Sequence, residues 1–191
     1  MQDERQAAEA YAMTAEQISE GSRRRRIESR VVYLVLAAVV AVDQLSKIAV
    51  RRWLPIDETQ AFWPGVLQFT HIENTGAAGG SFEGWGRLFI PVAIAVVAWV
   101  IYAQRRGKLE NAWFAAGAGF FAGGAVGNAI DRLLFARVTD FLEWTGSRGI
   151  MNLADLAINV GVLLGIAGML LASRRARKET GPVEPKECEA R

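Results

Sequence analysis

The hydrophobic positions of this 191-residue chain gather into four long runs instead of alternating with polar ones. The runs lie at about 31–50 (VVYLVLAAVVAVDQLSKIAV), 85–103, 112–130 and 152–172. Each has the roughly 20 residues that an apolar helix needs to cross a bilayer core. Pro91 falls in the first turns of the second run, where a helix tolerates it best. The pattern therefore predicts a mainly α, polytopic membrane protein with four transmembrane helices. The stretch between the first two, about 51–84, is too long for a turn. Val66, Gln68, Thr70 and Ile72 there sit among β-favouring residues ahead of a Gly/Asn cluster, predicting a small β element outside the membrane. Residues 1–30 and 173–191 are polar and are expected to be mobile tails.

Small residues recur at helical spacing in the last two runs: Gly119, Gly123 and Gly127 in the third, Gly161 and Gly165 in the fourth. Such spacing lets helix backbones approach closely, where packing replaces the hydrophobic drive that lipid removes. These glycines predict a compact bundle and carry no chemistry.

Composition adds less than distribution does. The chain is 51% hydrophobic with a mean hydropathy of +0.15, close to soluble proteins. Its 22 Lys and Arg, however, are displaced to the tails and connections, with 15 of them in residues 1–30, 104–111 and 173–191. The other seven (Lys47, Arg51, Arg52, Arg87, Arg132, Arg137 and Arg148) lie on the opposite side of the spans. By the positive-inside rule both termini are cytoplasmic, and the segments around 48–84 and 131–150 face outward. Trp53, Trp63, Trp85 and Trp144 lie in or beside those outer segments, as interfacial aromatics do. The first run reaches Asp43 and Lys47 with no cleavage site for a leader, so it is read as a retained helix. One cysteine excludes an internal disulfide framework, and with a single histidine it argues against a His/Cys metal site. No metal and no cofactor are expected. Cys188 is given no role, and His71 is read as a surface or packing residue. A net charge of +2 gives no support for nucleic-acid binding.

The informative residues are those kept where polarity is expensive. An Asp at a helix centre costs about 2.5–3.5 kcal/mol even on a lenient insertion scale, so such residues face protein or water and mark function. Asp43 and Lys47 are four apart, on one helix face, and can pair. Asn128, Asp131 and Arg132 close the third run, and Asp140 follows in the short return RVTDF. Asn152, Asp155 and Asn159 occupy the first turns of the fourth. With the orientation above, all of them gather near the outer membrane face.

Two carboxylates held close together share a proton, because both cannot easily ionise. The charged member polarises a water and the neutral one donates to a carbonyl oxygen, which is peptide hydrolysis without metal, thiol or serine. The chain has no G-x-S-x-G elbow and no H-E-x-x-H pair. Residue types alone leave Asp131 and Asp140 open as partner for Asp155. The plainer alternative is that these groups form interhelical ion pairs and helix caps, with Asn152 as N-cap and Asp155 on the first turn of the fourth helix. A transporter or proton relay is the alternative function, but it calls for sites near the midplane and often for inverted repeats. Neither is visible in the sequence.

Five segments in order carry a resemblance: VDQLSK (Val42–Lys47), NTGAA (Asn74–Ala78), GGAVGNAIDR (Gly123–Arg132), VTDF (Val138–Phe141) and NLAD (Asn152–Asp155). With them the chain resembles the bacterial lipoprotein signal peptidases, or signal peptidase II, over about residues 31–172. The resemblance implies an aspartyl endopeptidase of the cytoplasmic membrane, cutting diacylglyceryl-modified prolipoproteins just before the lipidated cysteine at the outer face. It implies Asp140 and Asp155 as the dyad. Asp131 becomes a supporting residue paired with Arg132 or Lys47, alongside Asp43. Asn74, Asn128, Arg132 and Asn152 would orient substrate backbone and dyad, and residues 51–84 would form an extracytoplasmic cradle. Membrane lipid is the expected surrounding partner, and a monomer the expected state. Two departures, Gly79–Gly80 after NTGAA and Met151 before NLAD, touch pocket shape instead of proton chemistry.

Overall fold

The computed structural model describes residues 2–76, 81–109, 111–147 and 149–179. Gly79, Gly80 and Cys188 lie outside them, as do residues 180–191 of the expected C-terminal tail. Among the described residues, four long helices and a four-stranded antiparallel sheet make up the fold. Helix α1 spans Gln2–Trp53, α2 Phe89–Arg105, α3 Ala112–Phe135 and α4 Leu153–Glu179. Strands β1 (Thr59–Trp63) and β2 (Leu67–Asn74) lie between α1 and α2, and β3 (Val138–Trp144) and β4 (Ile150–Met151) between α3 and α4.

One segment is reported and one expectation corrected here. The polar residues before Val31 are helical, continuous with the first apolar run, so α1 is roughly 78 Å long at 1.5 Å per residue. The reason is local: this segment is built of Ala, Glu, Gln and Arg, the strongest helix formers, and contains no proline. The β element is not confined to the connection between the first two helices either. The return after α3 supplies half of the sheet, with Ile72 opposite Asp140 and Asn74 opposite Val138. The buried strand β3 (VTDFLEW) had passed for a loop because its continuous burial gives no alternation to read.

Among the described residues, three helical stretches are long and apolar enough to cross a membrane: Met13–Trp53, Gly86–Arg105 and Leu153–Arg174. Helix α3 is long enough but less apolar, for a packing reason. Ala115, Gly117, Gly119, Ala122, Gly123, Gly124 and Gly127 along it are buried. A Cβ on Gly119 would lie 2.8 Å from the Val32 carbonyl oxygen, and one on Gly123 2.8 Å from Val39 Cβ. Toward α4, a Cβ on Gly117 would approach the Gly161 carbonyl oxygen to 2.9 Å, and one on Gly124 would collide with that of Ala154. Residue numbers thus rise together along α1 and α3, which are parallel, while α4 runs antiparallel to α3. A helix enclosed on both sides needs smallness more than hydropathy. Gly165 differs from the other four glycines of this spacing, since a Cβ added to it would meet nothing within 4 Å, although its own nitrogen faces Gly117.

The sheet covers one end of this bundle. Val50 and Leu54 at the end of α1 pack with Phe141 and Leu142 of β3, against Phe69, Trp144, Leu153 and Leu156. Ala136, in the left-handed region at φ 61°, ends α3 and turns the chain directly into β3. That turn brings Asp140 back over the end of the helix carrying Asn128 and Asp131. His71 is buried in β2 with Nδ1 2.7 Å from the Leu54 carbonyl oxygen, a packing role as expected.

Candidate active site

Helix α4 begins where the polar residues meet, and its first turn explains several of them. Asn152 is its N-cap: Oδ1 accepts from the Asp155 amide at 3.0 Å, while Asp155 Oδ2 accepts from the Asn152 amide at 3.2 Å. Asp43 of α1 satisfies a further free donor of this turn, accepting from the Ala154 amide at 2.9 Å. The capping role considered from the sequence is therefore present, and it is part of a larger arrangement.

The second carboxylate arrives on β3. Asp140, 2% exposed, accepts at Oδ2 from Asn74 Nδ2 at 2.8 Å and at Oδ1 from Asn152 Nδ2 at 2.5 Å. Asn128 of α3 connects the two acids, donating from Nδ2 to Asp155 Oδ1 at 2.8 Å and accepting at Oδ1 from Asn152 Nδ2 at 3.1 Å. Each amide is oriented by a group that can only donate. The Gly76 amide holds Asn74 Oδ1 at 2.9 Å, the Asp155 amide holds Asn152 Oδ1, and the Lys47 ammonium holds Asn128 Oδ1 at 2.9 Å. Their NH2 groups must then face the carboxylates. Burial pushes Asp140 up to about 6, helped by the Asp155 charge and opposed by the hydrogen bonds from Asn74 and Asn152 and by Lys47. A carboxyl in that range exchanges its proton near neutral pH.

Behind the acids lies a buried ionic layer. Lys47 Nζ is 2.9 Å from Asp43 Oδ2 and 3.5 Å from Asp131 Oδ2, with all three side chains fully buried. Asp131 accepts from the Thr139 amide at 3.1 Å, anchoring the strand residue next to Asp140. Its basic neighbours are Lys47 and Arg51, the latter at 3.6 Å. Of the two partners expected for it, Lys47 is found and Arg132 is directed elsewhere. Arg132 donates to the Gly76 carbonyl oxygen at 2.9 Å and to that of Asn128 at 3.4 Å, and lies 5.1 Å over the Phe89 ring. It thereby ties the turn after Asn74 to α3. Asn159, one turn further along α4, is exposed and apart from this network.

Sequence reasoning missed three members. Gln44 donates to the Gly127 carbonyl oxygen at 3.0 Å and to Asp43 and Asp131. Arg51 donates to Thr139 Oγ1 at 2.8 Å. The signal for Arg51 was its position one turn after Lys47 on the same face; Gln44 and Thr139 had only their adjacency to Asp43 and Asp140. Among the described residues, no group of three His, Cys, Asp or Glu side chains is disposed to hold a metal ion. A cleft of about 430 Å³ borders the site, lined by Ile72, Asn74, Gly76 and Ile150 among others.

The family described as Signal peptidase (SPase) II matches residues 35–171, which take in every residue of this arrangement. The chain belongs to the signal peptidase II family. It is 35% identical over 147 residues to the lipoprotein signal peptidase of Desulfitobacterium hafniense (strain DSM 10664 / DCB-2), covering 77% of this chain and 97% of that protein. To the lipoprotein signal peptidase of Geobacillus thermodenitrificans (strain NG80-2) it is 39% identical over 137 residues, covering 70% and 86%. A bacterial membrane enzyme solved by the in meso method at 2.3 Å superposes with a TM-score of 0.69 at 28% identity, over 82% of this chain and 93% of that one. A second, solved at 1.9 Å, gives 0.66 over 73% and 92%. Membership of the signal peptidase II family makes this a membrane-embedded peptidase and leaves the transporter reading without support.

Proposed function

We propose that the chain removes signal peptides from diacylglyceryl-modified prolipoproteins, cutting N-terminal to the lipidated cysteine, with Asp140 and Asp155 as its catalytic pair. The observation that carries this reading is the convergence of two carboxylates, from β3 and from the first turn of α4, bridged by Asn128 and Asn152. One aspartate takes a proton from water as it attacks the scissile carbonyl. The other, protonated, donates to the carbonyl oxygen; as the tetrahedral intermediate collapses it takes that proton back, and the proton drawn from water passes from the first aspartate to the departing amine. Asn74 lines the polar cleft, where an extended backbone would lie, and Arg132 behind it holds the Gly76 carbonyl of the cleft wall. Asp43, Lys47 and Asp131 hold the frame behind the pair.

Four membrane spans are supported by helix direction. Helices α1 and α3 run one way and α4 the other, with both apolar flanks of α3 covered. Exposed Trp53, Trp63 and Trp85 at the sheet end suit a membrane interface, and the arginine-rich opposite end suits the cytoplasm. In this arrangement the sheet is an extracytoplasmic cradle and the acids lie near the outer face. Apolar grooves of about 420 Å³ between α2 and α3, and about 350 Å³ beside α1 and α4, offer surface for acyl chains of substrate or lipid.

The test is cleavage of a purified diacylglyceryl-prolipoprotein by the purified full chain. Asp140→Asn and Asp155→Asn should each abolish cleavage while accumulating in membranes at the wild-type level. Normal processing by either variant would remove that residue from the pair.

A further inference from the structure

The two aspartates are not equivalent in their support, and the difference traces to Lys47. We propose that Lys47 is a positioning residue that decides which aspartate is the base: its ammonium locks the Asn128 amide with nitrogen toward Asp155, so that Asp155 is the ionised member that activates water and Asp140 the acid. The inference rests on the dyad reading above.

The chain of contacts is short. Lys47 Nζ has no acceptor, so the Asn128 atom 2.9 Å away is oxygen, and the nitrogen donates to Asp155 Oδ1 at 2.8 Å. Asp155 Oδ2 already accepts from the Asn152 amide, at the positive end of α4, so both its oxygens meet donors. If Asn128 turned over, its carbonyl oxygen would face Asp155 Oδ1, and that contact would require a proton on the carboxyl. Apart from Lys47, Asn152 Nδ2 is the donor that resists the turn. It is longer to Asn128, at 3.1 Å, than to Asp140, at 2.5 Å. Asn74 and Asn152 are held by backbone amides, so their orientation toward Asp140 does not depend on Lys47. Through hydrogen bonds Lys47 therefore reaches Asp155 alone, while its charge also lowers Asp140 and so bears on the basic limb of the profile, not the acidic one. The charged groups around Asp155 are Asp140 from β3, Arg132 and Asp131 from α3, and Lys47 with Asp43 from α1. Of these, Lys47 alone holds the side chain that donates to Asp155.

The experiment compares pH profiles of kcat for the full chain in lipid, using wild type, Lys47→Met, Asn128→Ala and the double variant. Without the locked donor the base gains its proton more readily, so the acidic limb should move up by about one pH unit, a tenfold loss of rate below it. Both single variants should show the shift, and the double variant should move no further than either, because Lys47 acts through Asn128. If Lys47→Met does not accumulate, the charge-balanced Asp43→Asn, Lys47→Met pair replaces it with the same expectation. A lowered amplitude on an unmoved profile would make Lys47 purely structural and overturn the inference. So would additive shifts in the double variant. Asp140→Asn and Asp155→Asn run in parallel separate the two readings. If they are inactive while the Lys47 profile stays unmoved, the dyad stands and this inference falls; if they are active, the dyad itself falls.

Discussion

Asp140 is a carboxyl buried on a strand that needed no charge for its own folding. Its proton is held to about pH 6, whereas an unfolded aspartate releases it near 3.8. Between those values the folded protein binds a proton that the unfolded chain has lost. Asp140 therefore lowers stability as pH rises through that window, and its full cost is present above pH 6. Asp140→Asn removes this dependence, so the Tm difference between variant and wild type should widen from pH 4 to pH 7. A constant difference, measured by scanning calorimetry, would contradict the burial argument. The same proton is the one the proposed chemistry would use. With Asp140 as acid, kcat/KM should turn down above about pH 6 in the wild type, since that parameter reports the free enzyme. A profile flat from pH 6 to pH 9 would exclude Asp140 as the acid. Most acids and amides of this site were legible in the sequence because they sit where polarity is costly, whereas Asn74, on β2, entered only through the family resemblance. Gln44, Arg51 and Thr139 were not, since a glutamine beside an acid or a threonine in a strand is ordinary until its neighbours are known.

At the scale of elements, α3 is the axis of the molecule and its glycines set the spacing of everything else. A Cβ on Gly124 would meet the Ala154 carbonyl oxygen and, at 2.8 Å, Ile158 Cγ1, so any side chain there drives α4 from α3. That contact lies one turn from Asn128, which must reach Asp155 across the same interface. Gly124→Val should cost about 1–3 kcal/mol of stability through overpacking, and activity should fall further than the folded fraction does. Gly165→Ala, in open space, should leave activity unchanged and raise stability by up to about 1 kcal/mol through helix propensity. Melting temperatures and specific activities of the two variants check both statements. Equal effects at the two positions would refute the packing assignment. Spacing alone had grouped Gly165 with the packing glycines, because sequence period identifies a face of a helix but not which stretch of it a neighbour covers. The strand carrying Asp140 was hidden for a related reason: it is buried on both sides, and its partner β2 lies more than 60 residues away.

The buried acids gather at the sheet end of the bundle, and 15 of the 22 Lys and Arg lie in residues 1–30, 104–111 and 173–191 of the sequence. Cys188 falls in the basic C-terminal tail, so in sealed, right-side-out vesicles it should resist a membrane-impermeant maleimide and react fully after permeabilisation. Labelling without permeabilisation would invert the orientation and move the acids to the wrong face for an exported substrate. The number of long helices and their apolar character are properties of local composition, since the bilayer imposes length and hydropathy on each span separately. They were therefore readable along the chain, as was the family likeness carried by five short segments in order. The bridge from Asp140 through Asn152 and Asn128 to Asp155, the contact of Lys47 with Asn128 and the turning of Arg132 toward Gly76 are visible only in the tertiary structure. Each depends on side chains from three helices and a strand meeting within hydrogen-bond distance. That meeting is set by glycine-mediated helix approach and by the left-handed turn at Ala136, and no one-dimensional pattern encodes either as a distance.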